Sequence, residues 1–406
     1  MSTEGRSAEP VSATSTLESA DFVRLIARAD GDTLVASGLL ASALDAVKTP
    51  FQVTVARTVA ARSDRVHTST SEDDVTVVVG TADAAADADD VVQLAAADRP
   101  ATLEAIDLVR ELDATPDPVV ALAGIVASGG DPGAGESEWL ETTAHDRGLL
   151  EQRPGVAIPT TDPVDGLAHS TRLHAPWSGD LDATREALGD AVGGDPADFD
   201  ADDHRAIGSL VALDVVGAGD AVDAAAETIG RALRPDATPD GPFETLGGFA
   251  DVLEATVSVE PGTGVALAMG YDVRERALAV WREHGRRTHA ALRDASTGRY
   301  DGLSVIGIDD GPVDAVAQVG AAYRSPEPAV LVISDRTESD DGTGEAAIAT
   351  READPLGATV EAVARELAEQ APEADVEYDG GHRRGSLRFD PDVDDATIIA
   401  AVRDLL

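Results

Sequence analysis

The sequence contains no cysteine. That excludes disulfides, thiolate nucleophiles and cysteine-ligated metals. Lysine is almost missing, with Lys48 the only one, so nearly every cation is an arginine. Aromatic residues make up 3% of the chain. No apolar run reaches the ~18 residues that would suggest a bilayer-spanning helix, so no membrane segment is expected. The opening stretch MSTEGRSAEPVSATSTLES is polar and acidic with no apolar centre. It does not read as a signal peptide, and a cytoplasmic location is the expectation.

What the chain has in abundance is carboxylate. Its 76 Asp and Glu against 31 Lys and Arg give a formal net charge of −45. Acidity with few aromatics is also the composition of disordered chains. Against that, 43% of the residues are apolar, mostly Ala, Val and Leu in periodic segments, so most of the chain is expected to fold. Dispersed carboxylates, arginine in place of lysine and small core side chains point to a cytoplasm at very high salt, where net charge keeps proteins soluble. An acidic protein from a GC-rich genome is the alternative. Above about 1 M salt the Debye length falls to roughly 3 Å. The net charge then does not exclude a nucleic-acid partner, because local arginines and backbone N–H groups decide.

A length of 406 residues accommodates two or more domains. Residues 1–18 read as a disordered tail. From there DFVRLIAR, FQVTVAR and DDVTVVVG read as strands, and TLVASGLLASALDAV, PATLEAIDLVRELDA and PVVALAGIVASGG as helices. The alternation predicts an α/β domain with a mainly parallel sheet over 19–233. Residues 130–200 read as loops and acidic turns, and 203–233 as largely helical. RPDATPDGP, residues 234–242, is the linker candidate, rich in proline and lying between two periodic stretches. A second, smaller α/β domain is expected over 243–406, with strands at LSVIGID, AVLVISDR and GSLRFD.

Four stretches carry candidate chemistry. In ARADGDTLVASG, residues 27–38, Asp30 and Asp32 follow an apolar strand with a glycine between them. Both carboxylates can face the cleft at the C-terminal end of a parallel sheet. They suit a hard cation such as Mn or Mg; the alternative is an acidic turn capping the next helix. In YDGGHRRGSLRF, residues 378–389, Gly380 and Gly381 permit positive φ and an anion-receiving nest of N–H groups. His382, Arg383 and Arg384 add phosphate donors; the alternative is a hairpin whose arginines pair with neighbouring carboxylates. His169 and His174, in a stretch with Asp162 and Asp165, read as ligands or as hydrogen-bonded structural histidines. HGRRTH, residues 284–289, reads as a solvated face or a second phosphate contact.

ARADGD with its small-residue helix resembles the first motif of the DHH phosphoesterase superfamily, which includes the RecJ-type single-strand exonucleases. That motif ends a strand in His-x-Asp-x-Asp; Asp30 and Asp32 match, and Arg28 stands at the histidine. PVVALAGIVASGG is similar to a family helix that ends in a metal-binding aspartate, and here the end is Ala127-Ser128. VTVVVG is similar to the strand carrying another such aspartate, and here it ends in Gly80-Thr81. No His-His pair occurs in the chain. DGLAHSTRLHAPWSGD, residues 165–180, and FETLGGFADVLEATVSVEPGTGVALAMG are similar to segments of archaeal RecJ-like proteins. DGGHRRGS resembles the Gly-Gly-Gly-His motif of the DHH-associated C-terminal domain, with Asp379 at the first glycine. The resemblance spans residues 19–406.

It implies a DHH-type domain followed by a DHH-associated domain, with single-stranded DNA or RNA as partner in the cleft between them. Gly380, Gly381, His382, Arg383 and Arg384 would contact the nucleic-acid backbone. A two-metal phosphodiesterase needs several converging carboxylates and histidines. Asp30 and Asp32 alone do not supply them, and Asp83, Asp87, Asp89, Asp90 and Asp98 do not stand at the family's positions. The expectation is a catalytically impaired RecJ-like protein with no intact catalytic residue, retaining Mn or Mg at Asp30 and Asp32 or no metal at all. It would bind nucleic acid or serve as a scaffold in replication or repair, as eroded relatives do beside the replicative helicase. The alternatives are an active Mn- or Mg-dependent 5′–3′ single-strand exonuclease, and a subunit engaged purely in protein–protein assembly.

Overall fold

The computed structural model describes residues 10–68, 71, 73–83, 90–94, 99–334, 343–351 and 355–406. They fall into two compact units, each discontinuous along the chain. The first comprises Met1–Arg153, Ala157–Thr160 and Asp236–Trp281; the second comprises Pro154–Val156, Thr161–Pro235 and Arg282–Leu406.

The first unit is built on a four-stranded sheet of β1 (Phe22–Arg28), β2 (Phe51–Ala56), β3 (Asp74–Val79) and β4 (Val91–Leu94), in the order β2-β1-β3-β4. Every pairing is parallel. β3 reads DVTVVV and is buried at every position after its first, the pattern of a strand covered on both faces. The helix Gly31–Val47 leaves β1 directly and buries thirteen of its residues. Small residues let it pack closely. A Cβ on Gly38 would sit 2.4 Å from the Ala268 methyl. The helix Pro118–Ala127 is apolar all round and buried from Pro118 to Ile125, as befits a helix inside the core. Leu246–Val259 adds Phe249, Val252 and Leu253 to the same core, and Trp281 closes it with its indole N–H donating to Asp251 at 2.9 Å.

In the second unit a six-stranded sheet runs in the order β11-β12-β10-β9-β8-β7, after a short pair β5 (Glu151–Gln152) and β6 (Asp236–Ala237) that belongs to the first unit. Its strands are β7 (Ser296–Tyr300), β8 (Leu303–Ile308), β9 (Ala329–Ser334), β10 (Gly344–Thr350), β11 (Val376–Gly380) and β12 (Arg384–Phe389). Only β8 and β9 pair in parallel. The helices Gly357–Gln370 and Asp395–Leu405 cover one face, where Val360, Val363, Leu367, Ile398 and Val402 meet Leu331, Ile348 and Leu387.

The α/β class, the parallel N-terminal sheet and the sheet-rich C-terminal part agree with the sequence reading. Other details differ. Residues 1–9 of the expected tail lie outside the described residues, but Pro10–Glu18 is a helix with Ala13 and Leu17 buried. The stretch 234–242 carries β6, a bridge from Ala237 to Thr245 and a buried Thr238. Within 130–200, read as loops, stand the helices Glu138–Asp146, Pro163–His169 and Leu181–Leu188. The last two start at aspartates whose side chains accept first-turn N–H groups, Asp162 and Asp180. No helix among the described residues is long and apolar enough to cross a membrane.

Candidate functional site

In the first unit the structure brings the scattered motif positions together. Arg28 ends β1, and a Cβ on Gly80, at the end of β3, would lie 3.0 Å from the Arg28 Cβ. One residue past Asp30, a Cβ on Gly31 would lie 2.8 Å from the Ala127 methyl at the end of the helix Pro118–Ala127. Arg28, Gly31, Gly80 and Ala127 are therefore neighbours, where the family resemblance expects metal ligands.

Their chemistry is not that of a metal centre. Asp30 is the N-cap of the helix Gly31–Val47: its Oδ1 accepts the Thr33 N–H at 2.8 Å, and its Oδ2 is ion-paired with Arg28 Nε. The Gly31 N–H donates to Glu254 Oε1 at 3.1 Å. Asp32 points the other way, to the N-terminus of the helix Ala101–Glu111. That helix has no cap from its own Pro100. Asp32 Oδ2 accepts the Ala101 N–H at 2.8 Å and Oδ1 accepts the Thr102 N–H at 2.9 Å, two of the N–H groups a helix start leaves without partners. Burial raises the Asp32 carboxyl to about 6, and the nearby Asp30 charge adds to the rise, while the hydrogen bonds from Thr102 and Ala101 oppose it.

All four carboxylate oxygens are thus engaged by protein donors, and a guanidinium supplies the positive charge beside Asp30. These residues do not fit a two-metal phosphodiesterase centre, and no step through a metal is derived from them. Asp83 and Asp90 are exposed, and Asp87, Asp89 and Asp98 lie outside the described residues. Among the described residues, one group of three His or acidic side chains has its donor atoms at metal-binding spacing: Glu141, His145 and Asp236. Motif reading passed over it, although Glu141 and His145 stand one helical turn apart, a legible spacing.

In the second unit His169, His174 and His289 are held in polar networks inside the fold. His169 Nδ1 lies 2.9 Å from the Asp165 carbonyl and 3.1 Å from its Oδ1. Arg282 grips the Asp165 carboxylate with Nε at 2.9 Å and a second nitrogen at 2.8 Å. Burial by itself would raise the Asp165 carboxyl, but hydrogen bonds from His169 and Arg282 outweigh it and hold it at about 2. His289 Nε2 lies 2.9 Å from the Ser170 carbonyl, and its Nδ1 lies 3.3 Å from His174 Nδ1, the rings stacked with centroids 5.4 Å apart. Burial and the charges of Arg324 and Arg293 bring His174 down to about 4, so it is neutral at physiological pH. In HGRRTH the arginines are paired, Arg286 with Glu283 and Arg287 through both oxygens of Asp310.

YDGGHRRGSLRF is a β-hairpin. β11 ends at Gly380 and β12 starts at Arg384, with Gly380 opposite Gly385 and the Gly381 N–H donating to the Arg384 carbonyl at 2.8 Å. Neither Gly380 nor Gly381 adopts positive φ, so no nest forms there. The glycines serve close approach instead. A Cβ on Gly380 would lie 2.7 Å from the Gly357 Cα, and one on Gly385 would lie 2.3 Å from Val360 Cγ2. The hairpin tip is thereby pressed against the start of the helix Gly357–Gln370, where the His382 carbonyl accepts the Leu356 N–H at 3.1 Å. No side chain caps that helix among the described residues. His382 and Arg383 are exposed, and neither side chain has a hydrogen-bond or ion-pair partner among the described residues. Arg384, by contrast, is half-buried in the strand opposite Ala349.

Among solved structures, CDC45 from Entamoeba histolytica superposes with a TM-score of 0.62 at 6% identity, covering 97% of this chain and 96% of that one. The exonuclease RecJ bound to manganese superposes less closely, with a TM-score of 0.46 at 13% identity, covering 100% of this chain and 95% of that one. The chain shares the fold of the Entamoeba CDC45 over nearly the whole length of both. A family model described as the C-terminal domain of the uncharacterized protein rrnAC1427 matches residues 295–404, the strands β7 to β12 and their helices. The full-length uncharacterized protein rrnAC1427 of Haloarcula marismortui is 44% identical over 342 residues, which cover 82% of this chain and 85% of the relative. With that identity over most of both chains, this protein belongs to the rrnAC1427 family.

Proposed function

We propose that the protein binds the phosphate backbone of single-stranded DNA or RNA through its C-terminal hairpin and does not cleave it, acting in replication or repair as a binding protein or scaffold. The observation that carries this reading is the hairpin tip. Exposed His382 and Arg383, whose side chains have no partner among the described residues, stand beside a helix start that no side chain caps among those residues. A helix N-terminus receives anions through its free N–H groups and its dipole, and an arginine adds a charge-assisted contact suited to phosphate. Gly380 supports the reading by its close approach to the helix start, Gly381 closes the turn through its N–H, and Arg384 contributes from the start of β12. The absence of cleavage rests on Asp30 and Asp32, whose carboxylates are occupied as helix caps.

Fluorescence anisotropy with labelled single-stranded DNA and RNA, in a potassium chloride series, tests the binding half. The double variant His382→Ala, Arg383→Ala loses affinity for both, and the salt dependence flattens by about one counterion. Equal binding by the variant would leave the assembly reading as the better one. A gel assay with Mn2+ tests the other half, and no digestion is expected. Metal-dependent digestion by the wild type, abolished by Asp30→Asn with Asp32→Asn, would establish the exonuclease alternative.

A further inference from the structure

The helix Glu138–Asp146 presents Glu141 and His145 one turn apart on one face. The chain then turns at Gly148, buries Leu150 and enters β5, whose Gln152 pairs with Asp236 of β6. That pairing delivers Asp236 to the same place, and one donor atom from each of the three residues lies within 4.8 Å of the others.

Three features prepare these groups for a cation. His145 Nδ1 lies 3.0 Å from the Leu150 carbonyl, which can only accept, so Nδ1 carries the proton and Nε2 offers its lone pair. That Nε2 stands 3.9 Å from Glu141 Oε1. Asp236 Oδ1 is shut off from solvent and accepts no hydrogen bond among the described residues. Neither Glu141 nor Asp236 pairs with an arginine or lysine among those residues. Finally, Gly133, whose φ of +78° favours glycine, lies against the Glu141 carboxylate: a Cβ there would fall 1.9 Å from Oε2 and displace it.

We propose that Glu141, His145 and Asp236 bind one first-row transition dication of the Mn2+, Co2+ or Zn2+ class, with water completing the coordination. An imidazole between two carboxylates suits these ions better than Mg2+ or Ca2+, which prefer oxygen alone, and better than thiol-seeking Cu+. Bonds of about 2.0–2.2 Å at tetrahedral angles set donors roughly 3.3–3.6 Å apart, so groups now within 4.8 Å of one another close up by at most about 1.5 Å, within the reach of side-chain rotation. The site lies away from Arg28, Asp30, Gly80 and Ala127 in sequence and uses none of them. Its role is to clip β6, where the chain re-enters the first unit, to the helix Glu138–Asp146.

The test uses the full chain, stripped with chelator and exchanged into concentrated potassium chloride, which suppresses loose binding to surface carboxylates. Co2+ is titrated while its visible absorption is followed, and Zn2+ is then added as competitor. The wild type should take up one equivalent of Co2+, displaced by Zn2+. Asp236→Asn and His145→Ala should each bind at least about tenfold more weakly, while Asp30→Asn should bind as the wild type does. His145 is partly exposed, so its variant keeps the test informative if Asp236→Asn fails to fold. No stoichiometric uptake by the wild type, or uptake by His145→Ala as tight as that of the wild type, overturns the proposal.

Discussion

Replacing Asp32 with alanine separates a helix cap from a metal ligand, because the two roles predict opposite responses to pH. Burial lifts the Asp32 carboxyl from 3.8 to about 6 in the folded protein. A group raised in this way stabilises the fold fully below its unfolded pKa and loses that contribution as pH rises through its folded pKa. The full window is worth about 3 kcal/mol. The chain approaches zero net charge as its carboxylates protonate, so pH 5 is a practical floor. Between pH 5 and 7.5 the Asp32 contribution falls by about 1 kcal/mol. At neutral pH the ionised side chain still serves the Ala101 and Thr102 N–H groups, and cap removal costs about 1 kcal/mol. Asp32→Ala should therefore destabilise the protein by about 1 kcal/mol at pH 7.5 and by about 2 kcal/mol at pH 5. Denaturant unfolding of both proteins at fixed potassium chloride measures this, and the other titrating groups cancel in the difference. A carboxylate that depended on a cation would have a depressed pKa, and its loss would hurt less at pH 5 than at pH 7.5. A flat or reversed trend refutes the capping account.

Other substitutions probe the second unit. Gly385→Ala drives a methyl into Val360 and should cost about 1–3 kcal/mol, seen as a lower unfolding midpoint with an unchanged slope. Gly285→Ala should be more severe, because its Cβ would fall 1.8 Å from the His169 carbonyl oxygen and backbone must move; poor soluble yield or a thermal shift reads it out. Asp165→Asn removes the acceptor shared by Arg282 and His169 and should destabilise by about 1–3 kcal/mol, discounted because Arg282 is partly exposed. Since Asp165 is held at about 2, protonation of Asp165 itself adds nothing to the difference between that variant and the wild type from pH 5 to 8.

What could be read from the sequence follows the range of the interactions involved. β1, β3 and the helices Gly31–Val47 and Pro118–Ala127 declare themselves by local periodicity, and the structure has them where the pattern put them. The work of Asp32 does not declare itself, because its acceptor role is defined by N–H groups 69 and 70 residues away. Asp30 could be read as a cap locally, its partner Thr33 being three residues on. The hairpin glycines were legible as a turn, but their purpose depends on Gly357 and Val360. The helix Glu138–Asp146 was lost among acidic turns, since its buried side comes down to Leu140 and Ala144.

The discontinuity of the first unit bears on how the chain is made. Its core is assembled from residues before Arg153 together with Phe243, Phe249, Leu253 and Trp281. During synthesis the sheet β1 to β4, complete at Leu94, emerges about 190 residues ahead of Trp281. At ~5–20 residues per second that is a wait of roughly 9–38 s. Over that interval a parallel sheet and an all-apolar helix lack the segment that covers them. A nascent chain stalled between residues 160 and 236 should accordingly be sensitive to protease and a client for holding chaperones, and should become resistant once residue 281 has cleared the ribosome.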